Sequence, residues 1–555
     1  MGRSGVRGER SRPDGRSRPT ARAGQPGWDE SVHEHPGDRH GPDDGPADDR
    51  PHGHRRKGAR GKRRGFRILR WTAGVLAVLV LGTAGAGYLW YRHLNGNIKT
   101  ADLNIGEHKA AKPTPNAAGQ TPLNILLIGS DDRNSKENLR LGGHKASVGA
   151  APLADVQMLL HLSADRTNMS VVSMPRDNLV KLPKCTDPDS GKVYEASVGR
   201  EMVNSSLGRG GPGCTVATWE EITGIHIDHF LMVDFAGVVE MADAVGGVPV
   251  CVDANFIGRR GGSGEGTDLK LKKGTTSVQG EQALQWLRTR HGFEDGTDIA
   301  RSKGQHMYMS SMVRQLRKNA TFTHPNKLRM LAEKATDALK PDDGLNTIKK
   351  LYDLSNELKK PEPDRITMTT MPFRYVGARV EQTPAADTLW RALRDDVALD
   401  GKSKKKSTTK VSDDPAAADD KIAVQVRNGT RTATTVAVPG RASQVRQVLI
   451  GKGFARAVAD QSPSTAEDRT VIRFPSDDLE GDAQAVAKSL GIPLSSVKKT
   501  TDVSAVTLTV GADWTTGTAY PKSAGDDDAD KALDKNQTQN GAEAKCMHVQ
   551  DGYTW

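Results

Sequence analysis

A sustained apolar pattern first appears at Ile68. Ahead of it, residues 1–70 are rich in Arg, Gly, Pro, Asp and His and have almost no aliphatic side chains. Such a segment cannot bury a core, so it predicts a disordered tail. Residues 71–91, Trp71 to Tyr91, carry no charge. About 21 helical residues at ~1.5 Å rise span ~31 Å, enough to cross a bilayer core. Trp71 at one end and Tyr88, Trp90 and Tyr91 at the other suit the two interfacial belts. Residues 92–121 are polar and aperiodic, and predict a stalk.

Beyond the stalk, short apolar runs alternate with helical periodicities. Leu123–Ile128, Val156–Leu162, Met169–Met174, Phe230–Val233, Val248–Val252 and Ile366–Met371 read as strands. Val216–Thr223, Phe235–Ala244, 298–319, 325–339 and 343–358 read as helices. Strands interleaved with helices predict an α/β fold, a mixed α-β-α sandwich around a central sheet, over residues 122–375. Residues 376–420 are expected to be a linker. Residues 421–512 repeat the alternation on a smaller scale and predict a βαβαβ domain. Residues 513–555 read as a polar tail.

Charge changes this picture at the membrane. The formal net charge is +11, and Arg55-Arg56-Lys57, Arg60, Lys62-Arg63-Arg64, Arg67 and Arg70 form an acid-free run before Trp71. Next to an apolar span, such a run places the N-terminus in the cytoplasm and the rest outside. The long polar segment ahead of Ala84-Gly85-Ala86 argues for an uncleaved anchor over a cleaved signal peptide. The basic run is explained by topology and anionic lipid, so no nucleic-acid partner is expected. The four cysteines, Cys185, Cys214, Cys251 and Cys546, lie on the expected outer side and form no CxxC pair. Cys185 and Cys214 both sit in Pro/Gly-rich loops and are the first-choice disulfide. Cys251 fits simple burial equally well.

Candidate chemistry gathers at strand ends. Asp131 ends the first strand, Asp155 opens the second and Arg176 follows the third. Such positions commonly carry ligands. Leu287–Arg290 reads as a strand leaving a helix, which would put Arg288 and Arg290 on one face. Asp298, Arg301 and Gln305 share a helical face. Guanidinium forks aimed at one point suit a diphosphate. The bland readings are a salt-bridged surface for the arginines and turn caps for the two aspartates. His226 and His229 have no third ligand nearby, and their zinc reading is weak.

Taken in order, Asn124–Asp131, Ala154–Leu160, Ser173–Asp177, Gly224–Phe230, Val233–Phe235, Gly246–Val248, Gly280–His291 and Asp298–Gln305 resemble the LytR-CpsA-Psr family of extracytoplasmic wall enzymes. The resemblance covers roughly residues 122–320, and residues 420–512 are similar to the LytR C-terminal domain. It implies a phosphotransferase in the cell membrane. The expected partners are a glycopolymer on a polyprenyl-pyrophosphate carrier and peptidoglycan, joined through a phosphodiester. By motif, Asp131 and Asp155 would hold Mg²⁺ (or Mn²⁺). Arg176, Arg288, Arg290 and Arg301 would clamp the pyrophosphate as catalytic and substrate-binding residues, with Gln305 in support. Two positions depart from the family pattern. Leu153 stands where members often have Arg, with Arg133, Arg140 and Lys145 as candidate substitutes. Gly304 stands where an Arg often precedes the Gln. Competing readings are a non-catalytic wall or lipid-carrier binding protein, a polyprenyl-pyrophosphate hydrolase and a membrane-tethered regulator. The last would need a DNA-binding module that residues 1–70 do not offer.

Overall fold

The structure is a computed structural model. It describes residues 62–113, 115–116, 119–131, 136–141, 149–258, 266–319, 325–402, 412–432, 435–463, 465–467, 469–521, 533, 538–542 and 545–555. The expected disordered tail lies outside them up to residue 61, as do Arg133 and Lys145. By internal contacts the chain divides into Met1–Ala77 and Val78–Trp555. Helix α1 (Lys62–Asn97) includes Ile68–Asn97, one helix long and apolar enough by length and composition to cross a membrane.

The expected sandwich is present within Val78–Trp555. Its strands are β1 (Leu123–Ser130), β2 (Ala154–Leu162), β3 (Met169–Ser173), β4 (His229–Val233), β5 (Leu339–Pro341) and β6 (Ile366–Thr370), with a late strand at Gln539–Asn540. They form one seven-stranded sheet in the order β5-β4-β1-β2-β3-β6 and then Gln539–Asn540. β1 runs antiparallel to β2 and parallel to β4, while β6 runs parallel to β3. Neighbouring strands therefore bring Ser130 opposite Ala154, with Asp131 just past the end of β1 and Asp155 next to Ala154 inside β2. The register shifts between Gly129 and Ser130, which leaves Asp155 as the extra residue on β2. A side chain at Gly129 would meet Val156 Cβ at 2.9 Å, so the close approach of β1 and β2 requires glycine.

Helices cover both faces of the sheet. The short α2 (Lys136–Arg140) precedes α3 (Pro212–Thr223), α4 (Phe235–Ala244) and α5 (Gly280–Arg288). They are followed by α6 (Asp298–Asn319), α7 (Pro325–Ala338), α8 (Ile348–Leu358) and α9 (Pro384–Arg394). Asp234 caps α4 by accepting from the Gly237 amide at 2.9 Å.

Four expectations are corrected. First, α9 falls inside the segment expected to be linker. Its Leu389, Trp390 and Leu393, with Val397 and Leu399, are buried in the same cluster as Leu126, Val172 and Phe230. Trp390 meets Trp219 of α3 edge-on, with ring centroids 6.0 Å apart. The polar stretch that ends the first domain thus begins after about residue 400. Second, part of the expected stalk is bound to the domain. The Ala101 amide donates to Pro341 O, and Asn104 and the Ala110 amide both donate to Glu220.

Third, the expected polar tail returns to the first domain. Gln539–Asn540 pairs with β6, Met547 and Val549 are buried, and Cys546 is disulfide-bonded to Cys251. Cys251 is therefore bonded as well as half-buried. The reason is sequence distance: 295 residues separate the two, and no local pattern links them. The Cys185–Cys214 bond is present as expected, with Cα atoms 5.8 Å apart. Its 29-residue separation is worth ~3–4 kcal/mol in the chain-entropy account. Fourth, Leu287 and Arg288 belong to the end of α5, not to a strand. The Thr289 amide donates to Trp286 O and its hydroxyl to Gln285 O, and the chain turns extended only at Thr289.

The second domain has its own core of Ile422, Val424, Leu449, Phe454, Val486, Leu508 and Trp514, among others. Its strands, Val424–Asn428, Val458–Ala459, Val471–Phe474, Val497–Lys499 and Val506–Val510, accompany α10 (Arg441–Gly451) and α11 (Glu480–Leu490). All three expected strands and both helices are there. Two short strands at the sheet edges were too brief to show a period.

Candidate functional site

A cleft of about 200 Å³ opens at the ends of β2 and β3 and the start of α6. Asp155, Arg176, Arg290, Arg301 and Gln305 all line it. These are five of the seven residues nominated by the sequence for substrate or metal. β2 delivers Asp155 and the turn after β3 delivers Arg176. The extended segment after α5 brings Arg290, and the first two turns of α6 bring Arg301 and Gln305. Arg176 Nη1 lies 3.2 Å from Asp155 Oδ2. Gln305 is buried and donates to Leu287 O at 3.4 Å, which fixes α6 against the end of α5.

Arg288 goes elsewhere. Its guanidinium donates to Leu141 O at 3.1 Å and lies 5.1 Å from the centre of the Phe235 ring. The correction to α5 explains this. The helix runs through Arg288 and the backbone turns extended at Thr289, so the two arginines do not share the face that a strand would have given them.

Asp131 is buried, and its Oδ1 accepts from the Leu153 amide at 2.7 Å. Leu153 O in turn accepts from the Asp131 amide. Leu153 therefore secures Asp131 through backbone groups, which any side chain would allow. Arg140 does not replace a family arginine in the cleft, because it is exposed and paired with Glu137 at 2.6 Å. At Gly304, an added Cβ would face Trp286 Nε1 at 3.7 Å and Met547 Cε at 4.0 Å. The returning C-terminal segment thus occupies the space in front of this glycine.

The magnesium expectation can be tested against donor chemistry. Mg²⁺ takes hard oxygen ligands, commonly one or two carboxylates plus substrate phosphates and waters. Asp131 and Asp155 offer such oxygens from neighbouring strand ends. Asn204 donates to Asp155 Oδ1 at 3.3 Å, and its own buried Oδ1 has no hydrogen-bond partner among the described residues. An unspent oxygen beside a carboxylate suits a cation, so the donor set fits. Among the described residues no group of three or more His, Cys, Asp or Glu gathers as a metal cluster. His226 contacts Glu220 and Asp228, whereas His229 contacts Asp342, so the two histidines face separate carboxylates.

Other cleft residues were not nominated for the site. Asp177, which closes the Ser173–Asp177 motif, has a buried Oδ1 without a partner among the described residues. Phe373 and Tyr375 come from a hairpin, Phe373–Val376 with Arg379–Gln382, that forms another wall. Behind the cleft, buried His306 holds Ser173 Oγ with Nε2 at 2.7 Å, while its Nδ1 has no partner among the described residues. Burial lowers its pKa to about 4. His306 follows the nominated Gln305 directly, and that adjacency was the one available clue. Leu123, Leu127 and Leu231 of the sheet and Met309 of α6 are also only partly buried against an apolar cluster.

Fold and cleft together define an α/β protein with arginines and carboxylates converging at strand ends. The chain belongs to the LytR_cpsA_psr family, whose profile matches residues 90–395. Residues 421–514 match the domain described as LytR cell envelope-related transcriptional attenuator. The cell wall biosynthesis protein LcpA of Corynebacterium glutamicum is 27% identical over 334 residues, covering 57% of this chain and 62% of that protein. The polyisoprenyl-teichoic acid–peptidoglycan teichoic acid transferase TagU of Bacillus cereus is 25% identical over 262 residues, covering 46% and 73%. Among solved structures, a LytR-Csp2A-Psr enzyme from Actinomyces oris aligns with a TM-score of 0.39 and 19% identity, covering 53% of this chain and 96% of that one.

Proposed function

We propose that this protein is a membrane-anchored phosphotransferase. It moves a glycopolymer from a polyprenyl-pyrophosphate carrier to a hydroxyl of peptidoglycan and leaves a phosphodiester. The observation that carries this reading is the convergence of Arg176, Arg290 and Arg301 on one cleft with Asp155. Three guanidinium groups neutralise a diphosphate and stabilise charge developing on the transferring phosphoryl group. The acceptor oxygen bonds to the sugar-linked phosphorus, the bond to the bridging oxygen breaks, and polyprenyl phosphate leaves. The acceptor proton passes to one of the cleft carboxylates, Asp155 or Asp177. Mg²⁺ (or Mn²⁺) held by Asp131 and Asp155 would supply further charge neutralisation on the diphosphate. The partly buried leucines near α6 and α8 support a seat for the polyprenyl chain, which must leave water while its diphosphate stays at the polar mouth. The basic run before Trp71 supports a single crossing with the N-terminus in the cytoplasm and the cleft outside.

The test incubates the full-length protein in detergent with labelled polyprenyl-pyrophosphate saccharide, Mg²⁺ and peptidoglycan fragments. Transfer predicts label on peptidoglycan together with release of polyprenyl phosphate. Free saccharide phosphate, independent of acceptor, would replace this reading with a hydrolase. Retention without turnover would replace it with a carrier-binding protein.

A further inference from the structure

A second cleft, of about 160 Å³, lies between the first domain and the C-terminal domain. Lys112 and Arg394 enter it from the first domain, and Arg469, Arg473 and Lys498 from the second. Among the described residues Glu467 is the one acidic side chain in its lining. It is already committed to Arg473 at 2.6 Å. Asp395, just behind, lies 3.6 Å from Arg469. Lys112 and Lys498 are exposed and make no ion pair among the described residues. With Arg473 paired to Glu467 and Arg469 to Asp395, Arg394, Lys112 and Lys498 leave the described lining net positive across the domain boundary.

The cluster is held in place, not loosely splayed. Arg394 donates to Thr223 O and packs over Gly224, whose Cβ position would lie 3.5 Å from its Cδ and Nη1. Gly224 ends α3 in the left-handed conformation, φ +61°, which admits this approach. Burial, and then the neighbouring Arg469 charge, pull the Arg394 pKa down to about 10. Like charges gathered in a partly desolvated cleft cost free energy unless an anion joins them. The hydroxyls of Ser495 and Ser496 add further donors, while that of Thr470 is given to Asp513. That donor-rich, acid-poor lining fits the several oxygens of a phosphate group better than one planar carboxylate.

We propose that this interdomain cleft binds a phosphate-bearing polymer chain, one phosphate in the cleft and its neighbours along the basic rim. The site deepens the transfer reading, as a second hold on the polymer remote from the arginine cleft. It is measured by binding without turnover, so its failure leaves transfer itself untouched.

The probes are inorganic polyphosphate of about ten phosphates, inorganic phosphate and neutral dextran, titrated into full-length protein in detergent. Polyphosphate is expected to bind with a strong salt dependence, phosphate far more weakly and dextran not at all. The double variant Arg469→Gln/Lys498→Gln should weaken polyphosphate binding at least tenfold with an unchanged melting temperature. Arg469→Lys/Lys498→Arg should restore most of it. Arg301→Gln, in the other cleft, should leave this binding in place. Unchanged affinity in the double variant, loss of all binding through Arg301→Gln alone, or equal binding of dextran would each overturn the proposal.

Discussion

Arg176 and Asp155 face each other across the arginine cleft, Nη1 to Oδ2 at 3.2 Å, with Asn204 on the other carboxylate oxygen. This pair connects the two kinds of chemistry assigned to the cleft. Asp155 is shared between a guanidinium and the expected cation, so removing its charge acts on both. Asp155→Asn should lower apparent Mg²⁺ affinity and be partly offset by raising Mg²⁺. Turnover against Mg²⁺ concentration checks this, and unchanged Mg²⁺ dependence would move the metal site elsewhere.

The arginines should separate by position. Arg301→Ala removes a group that faces the cleft. Losing such a stabilising group costs ~3–4 kcal/mol, or about 10²–10³ in rate. Arg301→Lys should recover only part, because a point charge cannot reproduce the fork. Arg288→Ala removes a bond to Leu141 O and a contact with Phe235 instead. Its cost should be smaller, with KM affected more than kcat. Equal losses in kcat from the two alanine variants would return Arg288 to the clamp.

The Cys251–Cys546 bond should hold the C-terminal segment in place. Closing a loop of 295 residues is worth about 6 kcal/mol in the chain-entropy account, and native cases fall at about 2–5. Cys546→Ser should lower the midpoint of denaturant unfolding and expose the segment after residue 538 to trypsin. Intact tail and unchanged stability in that variant would show that Met547 and Val549 suffice.

Acid should destabilise the protein through His306. Its pKa is lowered to about 4 by burial, against ~6.5 unfolded. The fold therefore favours the neutral ring. This contribution is fully present above pH 6.5 and is lost as pH falls toward 4, by about 3 kcal/mol over the window. His306→Gln should flatten that part of the profile. Urea unfolding of both proteins at pH 7, 5.5 and 4.5 measures it, and parallel profiles would count against the assignment.

Orientation has its own test. A cysteine placed at Gly5 should resist an impermeant thiol reagent in intact cells, while one at Gly119 should react. Reversed labelling would place the cleft in the cytoplasm and remove the wall substrates.

Local patterns carried much of this protein. The uncharged Trp71–Tyr91 run, the apolar strand Leu123–Ile128 and the helix Phe235–Ala244 follow from composition and period, because burial on one or both faces imposes those periods directly. Ordered motifs brought Asp155, Arg176, Arg290, Arg301 and Gln305 to attention. Pairing across the sheet then decided which of them meet. Arg288 was drawn apart from Arg290 by one residue of helix, a boundary set by the Thr289 bonds to Trp286 and Gln285. The polar stretch around α9 hid a buried Trp390, since an amphipathic helix among charged residues shows its partner only when Trp219 is beside it. Long-range partners were the least legible. Neither the Cys251–Cys546 bond nor the cationic cleft between the domains has a local signature. Both arise because residues hundreds of positions apart become neighbours only after the sheet has closed.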